Sequence, residues 1–209
     1  MKKTLCILLA AAALLAGVQA NAQMSAGAGY LNLTRTTASG SNSTSVNGNG
    51  AYAGLAFNIP LAGGLGIAPG IYYSLSTFKT AAALGTIAST SGSTVEHAIN
   101  VPLNLNFGYN LARDMRAFIF AGPTFQYGLS SKTSTEGKLF GLSGSTVTDN
   151  YANTNNQRFA VYIGGGLGMD IAGNFQITVG YDHSLTNFVK SDNVKVSRGG
   201  IKIGAAMLF

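Results

Sequence analysis

Residues 95–111 read Val95-Glu-His-Ala-Ile-Asn-Val-Pro-Leu-Asn-Leu-Asn-Phe-Gly-Tyr-Asn-Leu111. Apart from His97, the odd positions are apolar or aromatic: Val95, Ile99, Val101, Leu103, Leu105, Phe107, Tyr109 and Leu111. The even positions are small or polar, from Glu96 and Ala98 through Asn100, Asn104 and Asn106 to Asn110. Side chains on a strand alternate between its two faces, so this pattern describes one strand lying between two different solvents. Strands of soluble sheets run to about 5–6 residues. This one is far longer, and it exceeds the ~9–11 residues that a tilted strand needs to cross a bilayer.

The same alternation recurs over residues 51–59, 65–75, 117–129, 159–171, 175–182 and 198–209, in each case with apolar residues at the odd positions. A further strand near Met24 to Arg35 has a register that alternation does not fix, and with it the expected count is eight. Tight connections are expected at Ala62-Gly63-Gly64, Ala112-Arg113-Asp114 and Ala172-Gly173-Asn174. Long Ser/Thr/Asn/Gly-rich loops are expected at Thr36 to Asn47, Lys79 to Thr94 and Ser130 to Gln157, and a shorter one at Val189 to Val194. This predicts an all-β fold: an eight-stranded antiparallel up-and-down transmembrane β-barrel with short turns at one end and long loops at the other.

A soluble sandwich would also use alternating strands, but the aromatic placement argues against it. Phe57, Phe107, Tyr109, Phe175 and Phe209 fall near the tight turns or the C-terminus, whereas Tyr73, Phe125, Tyr127, Phe159 and Tyr181 fall toward the long loops. Two aromatic bands at opposite ends of one apolar face read as interfacial girdles. The other face is mostly Gly, Ala, Ser, Thr, Asn and Gln, which suits the crowded interior of an eight-stranded barrel.

Composition agrees with this reading. Among 209 residues only 10% are charged, 46% are hydrophobic and 28 are Gly, with one Cys and no Trp. Lys2 and Lys3, the apolar run from Leu5 to Val18, and Ala20-Asn21-Ala22 read as a secretory signal peptide over residues 1–22, cleaved before Gln23. The barrel domain is then 23–209, and it carries no cysteine because Cys6 leaves with the leader. A net charge of +6 spread along the chain does not make a nucleic-acid surface.

No catalytic, cofactor-binding or metal-binding residue is expected. The chain has only two His, and alternation turns His183 away from Asp182 and Ser184 and turns His97 away from Glu96, so neither forms a triad with its sequence neighbours. The two dispersed His lack metal-ligand spacing. Gly164-Gly165-Gly166-Leu167-Gly168 lies within a strand and has no following Lys-Ser/Thr, so it reads as barrel wall and not as a phosphate loop.

The inward charges carry more information, because a buried charge demands a partner. Glu96, Arg116, Arg158, Asp170, Asp182, Arg198 and Lys202 are expected to form a lumenal charge network. With the last hairpin centred near Lys190, Asp182 would face Arg198. With the long hairpin centred near Ser143, Asp170 would face Arg116.

The closing strand Arg198-Gly-Gly-Ile-Lys-Ile-Gly-Ala-Ala-Met-Leu-Phe209 resembles the terminal strand of outer-membrane proteins, which ends in an aromatic residue. Phe209 is then the assembly signal read by the barrel-assembly machinery. Together with Ile99 to Tyr109, Phe118 to Pro123, Tyr162 to Asp170 and Val179 to Asp182, it resembles the small outer-membrane β-barrel domain family, PorT-like and of OmpA/OmpX-like architecture. The resemblance implies a Gram-negative outer-membrane location, contact with outer-membrane lipid and lipopolysaccharide, and no peptidoglycan-binding domain after Phe209. It implies a non-enzymatic structural or surface-interaction role in adhesion or envelope integrity, with an extracellular ligand at the long loops. The alternatives are an accessory component of a secretion or envelope-assembly system, or a narrow passive channel.

Overall fold

The computed structural model describes residues 22–84, 88–139, 142–152, 156–190 and 193–209. The expected leader lies outside the described residues except for Ala22. The strands are β1 (Gln23–Ser39), β2 (Asn42–Pro60), β3 (Leu65–Leu84), β4 (Ala88–Ala112), β5 (Met115–Leu139), β6 (Leu142–Asp149), β7 (Phe159–Ile171), β8 (Phe175–Ser184) and β9 (Val194–Leu208). All pairings are antiparallel, and the order β4-β3-β2-β1-β9-β8-β7-β5 is closed by β4–β5 into a ring of 8 strands. β6 pairs with β5 alone and stands outside that ring.

Closure removes every sheet edge from the lipid, where an unpaired backbone amide would cost several kcal/mol. The outer wall is the odd-numbered face of β2 to β4, of β5 up to Leu129, and of β7 to β9, with Leu105 54%, Tyr109 73%, Ile119 56% and Leu167 58% exposed. In a soluble protein such a surface would aggregate; here it matches the hydrocarbon. The girdle residues lie on this outer wall. Tyr73, Phe107, Tyr109, Tyr127, Phe159, Phe175, Tyr181 and Phe209 are exposed, while Phe57 and Phe125 are half-buried by neighbours.

The first strand settles its register here. Ser25, at 2% exposure, faces inward, so Leu31, Leu33 and Arg35 also face inward and Tyr30, 49% exposed, joins the outer aromatic band. Beyond Tyr30 the outer face turns polar at once: Asn32 and Asn49 bond side chain to side chain at 3.2 Å, and Thr34 bonds Asn47 at 3.1 Å.

Three expected loops are corrected. The region Thr36 to Asn47 is a continuous hairpin turning at Gly40-Ser41, where Gly40 has φ 57°. β3 and β4 stay paired to Leu84↔Ala88, and β5 and β6 to Leu139↔Leu142. The physical reason is that Ser and Thr are good strand residues once a neighbouring strand supplies backbone partners, so a polar composition does not by itself make a loop. The tight connections stand at the other end, where Gly63, Gly64, Ala172 and Gly173 take the left-handed conformation.

Above the ring the strands separate into two sheets. β2 pairs with β3 only as far as Gly48↔Phe78, while β3, β4, β5 and β6 continue upward together. β1, β2 and β9 form the other sheet, paired up to Ser39↔Asn42 and Ser39↔Val194.

Candidate functional site: the filled lumen

The inward face carries large rings among its small residues. Tyr52, Tyr72, Phe78, Phe118, Phe120 and Tyr162 also face inward, and the glycines make room for them. A Cβ at Gly168 would strike the Phe118 ring, and one at Gly166 would stand 2.7 Å from Phe120 Cζ. Gly29 and Gly204, opposite each other on β1 and β9, leave the space that Tyr52 occupies. Tyr52 packs edge-on against Tyr72 at 5.6 Å between ring centroids.

The charges form three tiers. Nearest the turns, Arg116 on β5 faces Asp170 on β7 and donates to it at 3.1 Å, and Gln176 Nε2 donates to the other carboxylate oxygen at 2.8 Å. In the middle, Lys202 Nζ donates to Asp182 Oδ2 at 2.7 Å and Oδ1 at 2.8 Å. Nearest the loops, Arg198 makes a two-point contact with Glu96, Nη1 to Oε2 and Nη2 to Oε1, the second at 2.8 Å.

The expected Asp182–Arg198 pair is therefore corrected. The β8–β9 hairpin is centred one residue beyond Lys190, so Asp182 faces Gly200 and not Arg198. That shift moves the facing position by two residues and releases Arg198 to cross the lumen. Arg158 does not enter the ion-pair network. It donates to the Leu129 carbonyl at 3.0 Å and lies over the Tyr151 ring at 4.4 Å. Arg35, opposite Arg198 in the β1–β9 register, enters instead, 3.8 Å from Glu96 Oε1. Alternation missed it because the register of β1 was open.

The Glu96 carboxylate is further held by Ser131 Oγ, which donates at 3.1 Å. Ser131 reaches inward because the β4–β5 register shifts between His97 and Ala98, reversing the parity of β5 beyond Leu129. Aromatic faces roof the cluster: Arg35 lies over Phe78 at 4.6 Å and Arg198 over Phe188 at 4.0 Å. Phe188 is carried inward by the segment between β8 and β9, which Asn187 ties down by donating to Val194 O at 2.9 Å and accepting from Val196 N at 2.7 Å. On the β5–β6 side, Asn150 Nδ2 donates to Ser131 Oγ at 2.8 Å, and burial pushes the Tyr151 phenol up.

Below this roof the lumen holds a cavity of about 190 Å³. A ladder of side chains crosses it: Tyr162 Oη donates to Gln126, Gln126 Nε2 to Asn100 at 2.8 Å, and Asn100 Nδ2 to Ser74 at 2.7 Å. On the outer wall, Tyr73 hydroxyl and His97 Nδ1 share a hydrogen bond near the upper girdle, and the cross-strand partners of His97 are Leu75 and Ser130. His183 faces Ile163 and Gly199. Neither imidazole has a carboxylate as its cross-strand partner. Among the described residues no group of three or more His, Cys, Asp or Glu is arranged to hold a metal ion.

The family model described as "Outer membrane protein beta-barrel domain" matches residues 16–190. No curated protein matches the chain. Among solved structures, the chain is similar to Ail, the attachment invasion locus protein of Yersinia pestis, in complex with the heparin analogue sucrose octasulfate. Identity is 16%, with 90% of this chain and 99% of that chain covered, at a TM-score of 0.44. It is also similar to Neisserial surface protein A, at 16% identity, 90% and 97% coverage and TM-score 0.40. A third is OprG from Pseudomonas aeruginosa, at 12% identity, 92% and 98% coverage and TM-score 0.41.

Proposed function

We propose a non-enzymatic, surface-binding role for this chain, which belongs to the outer membrane protein β-barrel domain family and is an integral outer-membrane protein. In outer-membrane barrels short turns face the periplasm and longer connections face outward. That orientation places both chain ends and the tight turns inside and the two projecting sheets outside, with the first 22 residues acting as the export leader.

The observation that carries the reading is the continuation of β3, β4, β5 and β6 as one sheet beyond the aromatic band, over a lumen closed by Glu96, Arg35 and Arg198. Nine residues of β1 lie between Tyr30 and its end at Ser39, and at ~3.3 Å per residue they span about 30 Å along the strand. A filled lumen leaves the protein's exposed surface as its working part, and loops on a rigid scaffold present binding groups at little entropic cost. The partner fits a hydrogen-bonding surface: the two faces of β6 present Ser143, Ser145, Thr146, Val147 and Thr148, all exposed, beside Glu136 and Lys132 on β5.

Deleting Thr133 to Thr148 tests this role. Cells displaying the shortened protein should lose adhesion to immobilised extracellular-matrix protein while the barrel still inserts. Adhesion equal to that of the intact protein would remove the binding role from this sheet.

A further inference from the structure

Side-chain exposure is 32% and 15% for Arg116 and Asp170, 19% and 23% for Lys202 and Asp182, and 11% and 7% for Arg198 and Glu96. The pair nearest the loops is thus the most enclosed of the three, with Arg35 beside it at 23%. The filling is lopsided. Phe118 and Phe120 project from β5, while Ser25, Gly27, Ala56, Ala68 and Ala206 leave the facing wall shallow. The cavity of about 190 Å³ lies between them, ample room for several waters.

The wall chemistry is neutral and hydrogen-bonding. Asn58, Asn104 and Asn106 present carboxamides to the cavity below the Gln126–Asn100–Ser74 ladder. Asn106 is only 6% exposed, and a carboxamide removed from bulk water needs partners, which water or a small polar solute can supply. The charged groups that line the same space already satisfy one another as Lys202–Asp182 and Arg198–Glu96, so a charged solute would gain no free counter-charge there.

We propose that the lumen is a blind vestibule, entered from the turn end and closed at the Glu96–Arg198 contact, that takes up water and small uncharged hydroxylated solutes from the periplasmic side. The proposal rests on the closed-lumen reading above. The two can fail separately.

Residues 23–209 contain no cysteine, so single-cysteine variants report one position each. Asn104→Cys and Asn106→Cys would sit in the vestibule, Asn174→Cys at a turn and Ser43→Cys at a loop-end hairpin. In proteoliposomes of determined orientation, the probe is a neutral, membrane-impermeant glucosyl methanethiosulfonate, with a sulfonated methanethiosulfonate as its charged counterpart. Heat-dependent gel mobility checks that each barrel is folded. The expected result is labelling of Asn104→Cys from the Asn174 side at least tenfold faster than from the Ser43 side, with the charged reagent slower than the neutral one. Labelling of both vestibule variants from neither side would overturn the vestibule and leave the closed lumen standing. Comparable labelling from both sides would overturn both, and equal rates for the two reagents would overturn the preference for uncharged solutes.

Discussion

Arg198 and Glu96 meet from diametrically opposite strands of the ring, β9 and β4, through two parallel hydrogen bonds. The Arg116–Asp170 and Lys202–Asp182 pairs join neighbouring strands and stiffen one wall locally. The Arg198–Glu96 contact instead ties two walls together, with Arg35 on β1 as a third anchor.

Removing the carboxylate leaves two buried guanidiniums facing each other. Glu96→Met should destabilise the barrel by about 3–5 kcal/mol, because the loss of one partner strands the other charges. Glu96→Met combined with Arg198→Met should recover much of that loss. Urea titrations of the protein in lipid vesicles measure both, and a double variant no more stable than the single one would refute the account.

The β8–β9 register can be tested by coupling energies. A double-mutant cycle of Asp182→Asn with Lys202→Met should give an interaction of about 1–3 kcal/mol, as for groups in one ion pair. The cycle with Arg198→Met should give a much smaller one. A larger coupling for Arg198 would place the hairpin back at the Lys190 centre.

Glycines across from rings are spatial requirements. Gly168→Val should cost about 1–3 kcal/mol through overpacking against Phe118. Phe118→Ala should relieve most of that cost in the double variant, which a purely backbone effect of the glycine would not allow. Thermal melts in detergent read the difference.

The apolar band has limits that arginine scanning can map. Leu103→Arg, between Phe107 and Ile99 on the outer wall, should cost about 2–4 kcal/mol as a charge near the bilayer midplane. Ser43→Arg, on the β1–β2 hairpin above the band, should lie within about 0.5 kcal/mol of the parent protein. Equal costs at the two sites would mean the band is misplaced.

The C-terminal aromatic should matter to assembly more than to the finished fold. Phe209 is 64% exposed, and its amide donates to Met24 O at 2.8 Å, a bond that any residue there could make. Phe209→Ala should slow insertion in cells, followed by pulse-chase, and leave spontaneous folding into vesicles nearly unchanged. Similar slowing in both settings would show a structural role only.

Most of the wall was legible because period two is imposed by lipid on one side and the lumen on the other, strand after strand. β1 was the exception: Leu31 and Leu33 face inward and Asn32 outward, since this strand leaves the membrane soon after Tyr30. Alternation assigns a face to each charge, but a partner on the opposite strand leaves no trace in sequence spacing. Glu96 and Arg198 are 102 residues apart, and only the closed ring brings them together. How the inward rings are accommodated was hidden for a related reason. Tyr52, Tyr72 and Phe118 look out of place on a small-residue face until the glycines facing them are aligned by register. The projecting sheet was hidden by composition, because Ser- and Thr-rich strands read as loops without their partners.

The pairing of β1 with β9 from Ser25↔Leu208 to Ser39↔Val194 has a further consequence. Most other neighbours in the ring are also neighbours in the chain, so the wall can grow hairpin by hairpin in the order of synthesis. The β1–β9 seam joins the first strand to the last and cannot form until β9 has been made. An incomplete chain would therefore be an open sheet with two unsatisfied margins, and the final zipper of one strand against the other decides between a membrane protein and an aggregate.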